Sequence, residues 1–272
     1  GKNIMMTGPA GCGKTMAAKA LTNSLNRPHF YFNLGATQDP RATLIGNTHF
    51  NKESGTFFSE ALFVKAIQTE GAIILLDELS RAHPEAHNIL MTVLDEGQRY
   101  LRLDEADGAP TIKVAKDVTF VATANIGNEY TATRVMDRAL LNRFIIVEMD
   151  VLGMDEEVDL LKMLFPLVDN KNIESVASIV SDTRKEMMSE MPRLSTHIST
   201  RCSVEMVSLI YDGFTLSEAA QVTIYPLFDN SGGIDSERTF IKQIVQKYCP
   251  QGEGDEDLFN TEDVDDNDNI NA

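Results

Sequence analysis

Gly8-Pro9-Ala10-Gly11-Cys12-Gly13-Lys14-Thr15 meets the pattern G-x-x-x-x-G-K-[ST] at every fixed position, and the rest of the chain reads as arranged around it. Glycines at these places let backbone N–H groups turn inward around a phosphate. A lysine there reaches β- and γ-phosphate oxygens, and the hydroxyl that follows can ligate Mg2+. The candidate nucleotide-binding residues are therefore Gly8, Pro9, Ala10, Gly11, Cys12, Gly13, Lys14, Thr15 and the adjoining Met16, with Thr15 also a metal candidate and Lys14 a catalytic one. Both flanks agree. Asn3-Ile4-Met5-Met6-Thr7 is an apolar run of strand length, and Met16-Ala17-Ala18-Lys19-Ala20-Leu21 continues with helix formers whose N-terminus would face an anion.

Further along, Ala72-Ile73-Ile74-Leu75-Leu76-Asp77-Glu78 is an apolar run closing on two carboxylates, the form of a strand buried on both faces of a parallel sheet. Ligands of open α/β sheets gather outside the carboxyl ends of the strands. Asp77 is thus placed to hold Mg2+ through water, and Glu78 to orient and deprotonate an attacking water. The blander reading makes the pair a helix N-cap. Val118-Thr119-Phe120-Val121-Ala122-Thr123-Ala124-Asn125 repeats the form, and Asn125 is a candidate to hold the lytic water or a γ-phosphate oxygen, or else a cap for the turn that follows. Ala139-Leu140-Leu141-Asn142-Arg143-Phe144 closes a helix before a last strand at 145–149, where an arginine would at least answer the helix dipole.

Between these landmarks His29-Phe30-Tyr31-Phe32-Asn33 reads as a strand. Residues 44–57 predict a hairpin turning near Ser54-Gly55, followed by a helix over 58–69. A helix is expected over 83–96, ended by Gly97. A second hairpin, 100–103 with 111–114, is expected from the Asp107-Gly108 turn signal. Beyond Asp150 the strand signal stops, and helical patterns cover 156–164, 173–189, 200–212, 216–225 and 236–248. The expected organisation is a parallel five-stranded α/β domain over 1–149, a small helical domain over 150–249 and an acidic, disordered tail over 250–272. Arg201 stands in the first turn of a helix, where its charge opposes the dipole; such a placement makes sense if an anion is its partner.

The chain has 272 residues, 43% of them hydrophobic, with a net charge of −17. Nine of the acids, and no Lys or Arg, lie in 251–272, which leaves −8 for the body. An acidic body argues against a broad duplex-DNA footprint, which needs clustered Lys and Arg; only a local basic loop stays open. Cys12, Cys202 and Cys249 share no metal-ligand or C-x-x-C spacing, so a reducing cytoplasm is expected. Cys12, beside Lys14, stands where a thiolate would be favoured. No signal peptide opens the chain, and no apolar run reaches membrane-spanning length. Its start almost directly on the first strand leads us to expect a fragment.

With these residues in hand, the chain resembles the AAA+ ATPases of the branch holding MoxR, CbbQ/NorQ, the cobaltochelatase ATPase subunit and the dynein- and midasin-related modules. Gly8 to Thr15 is similar to the Walker A loop, Leu75-Leu76-Asp77-Glu78 to the Walker B strand and Asn125 to sensor 1. Arg143 resembles the arginine finger, and Arg201 in Ile198-Ser199-Thr200-Arg201 resembles sensor 2. Residues 45–57 look like the helix-2 insert and 100–114 like the pre-sensor-1 hairpin. The resemblance implies ATP and Mg2+, a homo-oligomeric ring, usually a hexamer, and remodelling of a partner protein, often one with a von Willebrand A domain. It leaves base specificity open, since the upstream segment that helps enclose adenine is not in the sequence. A DNA-directed motor resembling the GTP-using McrB subunits is the less favoured alternative, with Arg99, Arg102, Lys113 and Lys116 gripping phosphates.

Overall fold

The structure is a computed structural model and describes residues 2–52, 55–125 and 136–249. The tail expected over 250–272 and the Ser54 end of the first hairpin turn lie outside the described residues. Two compact units emerge, one of Gly1–Val151 and one beginning at Leu152.

In the first unit, short apolar runs alternate with helix formers, the signature of crossover connections between parallel strands. The order is β1 (Ile4–Thr7), α1 (Lys14–Ser24), β2 (His29–Asn33), α2 (Pro40–Leu44), β3 (Gly46–Asn51), β4 (Gly55–Glu60), α3 (Leu62–Gln68) and β5 (Ile73–Asp77). There follow α4 (Pro84–Leu94), β6 (Tyr100–Arg102), β7 (Thr111–Lys113), β8 (Thr119–Ala124), α5 (Arg138–Leu141) and β9 (Ile145–Glu148). The main sheet is parallel throughout, in the order β2-β5-β8-β1-β9.

The period-2 alternation of strand side chains divides the core in two. Ile74, Leu76, Phe120 and Ala122 face a large cluster that takes in Phe63 and Ile67 of α3 and Leu90 and Val93 of α4. Ile73, Leu75 and Val121 turn the other way, onto Ala18 of α1 with Met6. All five β5 residues are therefore buried, as a near-continuous apolar run requires.

Three local expectations shift. The helix predicted over 58–69 starts only at Leu62, because 58–60 extend β4 opposite β3: Phe58 pairs with Thr48 and Glu60 with Gly46. Gly97 does not end α4. The chain leaves the helix at Asp95, where φ is −71° and ψ 122°. Asp95 accepts the Gly97 N–H on Oδ1 at 3.0 Å and the Arg99 N–H on its carbonyl at 3.0 Å, a local turn competing with the helix ladder. The second hairpin keeps its Asp107-Gly108 turn, closed by the Ala109 N–H on the Ala106 carbonyl at 2.9 Å with Gly108 at φ +76°. Its strands are each a residue shorter than expected, and the loop runs over 103–110, bridged by Leu103 N–H on the Pro110 carbonyl at 3.0 Å, because buried Leu103 is drawn into the core.

The second unit is helical: α6 (Met154–Leu164), α7 (Asn170–Met187), α8 (Thr200–Tyr211), α9 (Leu216–Thr223) and α10 (Glu237–Gln246). Leu161, Ile173, Val180, Val207, Ala220 and Ile241 stand at helical spacing on inward faces and share one core. At its heart lies a buried ion pair, Arg184 Nη1 to Glu157 Oε2 at 2.9 Å. Glu157 Oε2 also accepts from Thr200 Oγ1 at 3.0 Å, while Ser203 Oγ donates to Oε1.

Candidate nucleotide and metal site

Strand register brings the candidates to one edge of the sheet. Thr7 pairs with Ala124, and Asn33 with Asp77, so the loop after β1, the carboxylates ending β5 and Asn125 just past β8 all leave the carboxyl edge together. This is where open α/β sheets collect ligands.

The loop turns through Gly8 (φ +153°), Gly11 (φ +78°) and Gly13 (φ +89°), and α1 begins at Lys14. Gly8 is compelled by space as well as by φ, since a Cβ there would collide with the Met149 carbonyl. Lys14 is buried and folds back on the loop, with Nζ donating to the Gly8 carbonyl at 3.0 Å and to that of Pro9, and 3.7 Å from Cys12 Sγ. Desolvation lowers its pKa, against the raising influence of Cys12 and Asp77. Cys12 is buried, whereas Met16 is 76% exposed on α1.

Asp77 is held on both oxygens. Oδ1 accepts from Thr15 Oγ1 at 2.9 Å and from Thr123 Oγ1; Oδ2 accepts from the Tyr31 hydroxyl at 2.8 Å. Burial first, and then Asp77 as acceptor, push the Tyr31 phenol up to about 12, so it keeps its proton and donates. Two hard oxygen donors within 3 Å, Thr15 Oγ1 and Asp77 Oδ1, beside a cationic phosphate loop, form a donor set that fits Mg2+ shared with a nucleotide.

Glu78 adopts the left-handed region at φ +55°, a conformation costing a non-glycine about 1 kcal/mol or more and concentrated at functional sites. Its N–H donates to Thr123 Oγ1 at 3.0 Å, so a single threonine hydroxyl fixes both acidic residues. The carboxylate lies 3.8 Å from Arg81 Nη1 and rests against Gly35. Asn125 is tied down through its N–H, which donates to Ser80 Oγ at 3.1 Å; residues 126–135, which follow it, lie outside the described residues.

Arg143 does not join this group. It precedes β9, whose Ile145 pairs with Ile4 at the amino end of β1, so about four residues of strand, roughly 13 Å, separate it from the loop after Thr7. Its guanidinium reaches Asp95 Oδ2 at 2.9 Å and the carbonyls of Met91, at 3.0 Å, and Ala139. Arg201 belongs to the second unit, exposed in the first turn of α8.

The arginines proposed to grip DNA are largely committed elsewhere. Arg99 turns inward, donating to Asn3 Oδ1 at 3.2 Å and the Val118 carbonyl at 2.6 Å over the Phe120 ring, and Arg102 pairs with Asp104 at 2.6 Å. Sequence reading missed Tyr31, Thr123 and Gly35. Tyr31 and Thr123 each carried a signal, lying two residues before the polar strand-end residues Asn33 and Asn125 and so on the same face.

The AAA domain model of the dynein-related subfamily matches residues 3–144. The chain belongs to that family. As an AAA domain it is an ATPase of the P-loop class. Among its relatives, BssE of Thauera aromatica, a protein named as a candidate chaperone, is 32% identical over 82% of this chain and 74% of its own length. An uncharacterized protein of Staphylococcus haemolyticus is 32% identical over 77% of this chain and 78% of its own. Among solved structures, a RuvB variant of Thermotoga maritima aligns with a TM-score of 0.52 at 16% identity, over 81% of this chain and 62% of that one, a likeness of fold. Among the described residues of this AAA domain, no helix is long and apolar enough to cross a membrane.

Proposed function

We propose that this AAA domain hydrolyses ATP with Mg2+ inside a homo-oligomeric ring, a hexamer, and spends the energy on remodelling a partner protein. The observation that carries the reading is the 2.9 Å contact of Thr15 Oγ1 with Asp77 Oδ1 directly beneath the glycine loop. A relative named for chaperone work supports the remodelling half. The MoxR/CbbQ branch, and a partner with a von Willebrand A domain, are the finer form of the same proposal.

In this reading, backbone N–H groups of Gly11 to Thr15 cradle the phosphates, and Lys14 leaves the Gly8 and Pro9 carbonyls to pair with β- and γ-oxygens. Thr15 and Asp77 hold Mg2+, which when bound supplies positive charge against the phosphate oxygens. Glu78 takes the proton of the attacking water, whose oxygen forms the new bond to the γ-phosphorus as the bond to the bridging oxygen of ADP breaks. Asn125 helps place that water. Because Arg143 sits at the opposite edge of its own sheet, it acts on a neighbour's γ-phosphate, and Arg201 senses nucleotide from the helical unit.

The test is steady-state ATP hydrolysis across a protein concentration series, with GTP in parallel and sizing of the same samples. Specific activity should rise as a ring-sized species appears, and Glu78→Gln should bind ATP without turning it over. Flat activity per chain in a monomeric protein overturns the ring.

A further inference from the structure

Tyr31 is oriented in a way that packing does not explain. It lies on β2, at the edge of the sheet, and is 44% exposed. An exposed tyrosine ordinarily keeps its ring on apolar surface and its hydroxyl in water. Here the hydroxyl is instead engaged by the buried Asp77, donating to its Oδ2 at 2.8 Å.

The ring is gripped as well. Lys19 Nζ stands over it at 4.6 Å from the centroid. Lys19 is four residues after Thr15 on α1, so the two side chains share one helix face. Thr15 itself donates to Asp77 Oδ1. Asp77, Tyr31, Lys19 and Thr15 thus close a circuit that joins the first turns of α1 to β2 and β5.

We propose that Tyr31 is a positioning residue for the metal side of this site, orienting the Asp77 carboxylate for Mg2+ delivered with the nucleotide. The proposal rests on the reading of Asp77 and Thr15 as the metal-side residues. When the Thr15 oxygen is engaged by a cation, its hydroxyl no longer serves Asp77 alone. Thr123 then remains on Oδ1, and among the described residues Tyr31 is the hydroxyl on Oδ2. Without it the carboxylate is held through Oδ1 alone, and its terminal torsion, which is broad for aspartate, is less tightly set. Partners that orient a metal-side ligand in this way typically govern metal affinity by about 10- to 100-fold.

The test is binding of a fluorescent, non-hydrolysable ATP analogue to the full chain at rising Mg2+, in wild type, Tyr31→Phe and Asp77→Asn. Phenylalanine keeps the ring beneath Lys19 and deletes only the hydroxyl. The Mg2+ concentration giving half the affinity gain should rise about tenfold in Tyr31→Phe, while affinity in EDTA and the melting temperature of the nucleotide-free protein stay near wild type. A merely structural tyrosine would move the melting temperature and leave the Mg2+ midpoint alone, and that result overturns the proposal. Asp77→Asn separates the two readings. If it loses the Mg2+ response while Tyr31→Phe keeps it, only the role of Tyr31 falls. If Asp77→Asn responds as wild type does, the metal-site reading falls and takes the proposal with it.

Discussion

Arg143 Nη2 lies 2.9 Å from Asp95 Oδ2, so the guanidinium proposed to serve a neighbouring subunit is engaged within its own chain. Both groups are half-buried, with side-chain exposures of 23% and 28%, and the bidding for Arg143 includes the Met91 and Ala139 carbonyls. Action on a neighbour's phosphate requires release from these acceptors. An arginine finger accounts for about 10³–10⁵ in rate in well-studied nucleotide hydrolases. Arg143→Ala should therefore lose turnover on that scale with ATP binding little changed. Mixing it with Lys14→Ala chains, which retain Arg143, should restore part of the activity in hybrid rings. Near-normal turnover of Arg143→Ala alone counts against the assignment.

Gly35 is tied to Glu78 by space. A Cβ at position 35 would stand 2.8 Å from Glu78 Cβ, 3.3 Å from Arg81 Cβ, and in collision with Glu78 Oε2. The glycine backbone is not in the left-handed region, so alanine is opposed by Glu78 above all, and by Arg81, rather than by its own backbone. Misplacing a catalytic group by about 1 Å costs up to about 10²-fold. In Gly35→Ala, kcat for ATP should fall about 10- to 100-fold with KM near wild type. An unchanged kcat would show that Glu78 needs no such fixed seat.

The Glu157–Arg184 pair is the most consequential ion pair of the helical unit. Its side chains are 1% and 9% exposed, and Arg184 Nε is buried with no hydrogen-bond partner. Removing one member strands the other charge, at about 3–5 kcal/mol. Arg184→Ala should therefore lower the denaturant midpoint sharply, whereas the double change Glu157→Met with Arg184→Met should recover much of the loss. Equal damage from the single and double variants would show that the polar network, rather than the stranded charge, holds α6, α7 and α8 together.

Asp182 makes the stability of the second unit depend on acid. Burial alone would raise its carboxyl, but hydrogen bonds from Tyr248 at 2.7 Å and Lys247 at 2.9 Å outweigh this and hold it below the usual carboxylate range. A depressed folded-state pKa contributes stability that is present above the unfolded value, about 4, and is lost as pH falls through the folded value. Asp182→Asn should melt a few degrees below wild type at pH 7, with the gap closing below about pH 4. The lysine is 63% exposed, so added salt should shrink the gap. A gap that ignores pH would place the effect in packing.

Local information carried the sequence reading a long way, and the reason is physical. The glycine loop, the apolar run ending in Asp77-Glu78 and the change from strand to helical periodicity near residue 150 are properties of adjacent residues, so the α/β class with a helical second unit is legible without coordinates. The boundary errors arose where a neighbour in space overrode local preference: β3 drew residues 58–60 into a strand, and buried Leu103 widened the second hairpin. Tertiary structure alone decided which side chains meet. Tyr31 and Thr123 lie 46 residues from Asp77 in either direction, and Gly35 reaches Glu78 from another loop. Those meetings depend on the strand order β2-β5-β8 and its register, which no short stretch encodes. The inward turn of Arg99 and the engagement of Arg143 by Asp95 are likewise set by the carbonyls and carboxylates that packing brings within reach, and buried polar groups take partners wherever the fold supplies them.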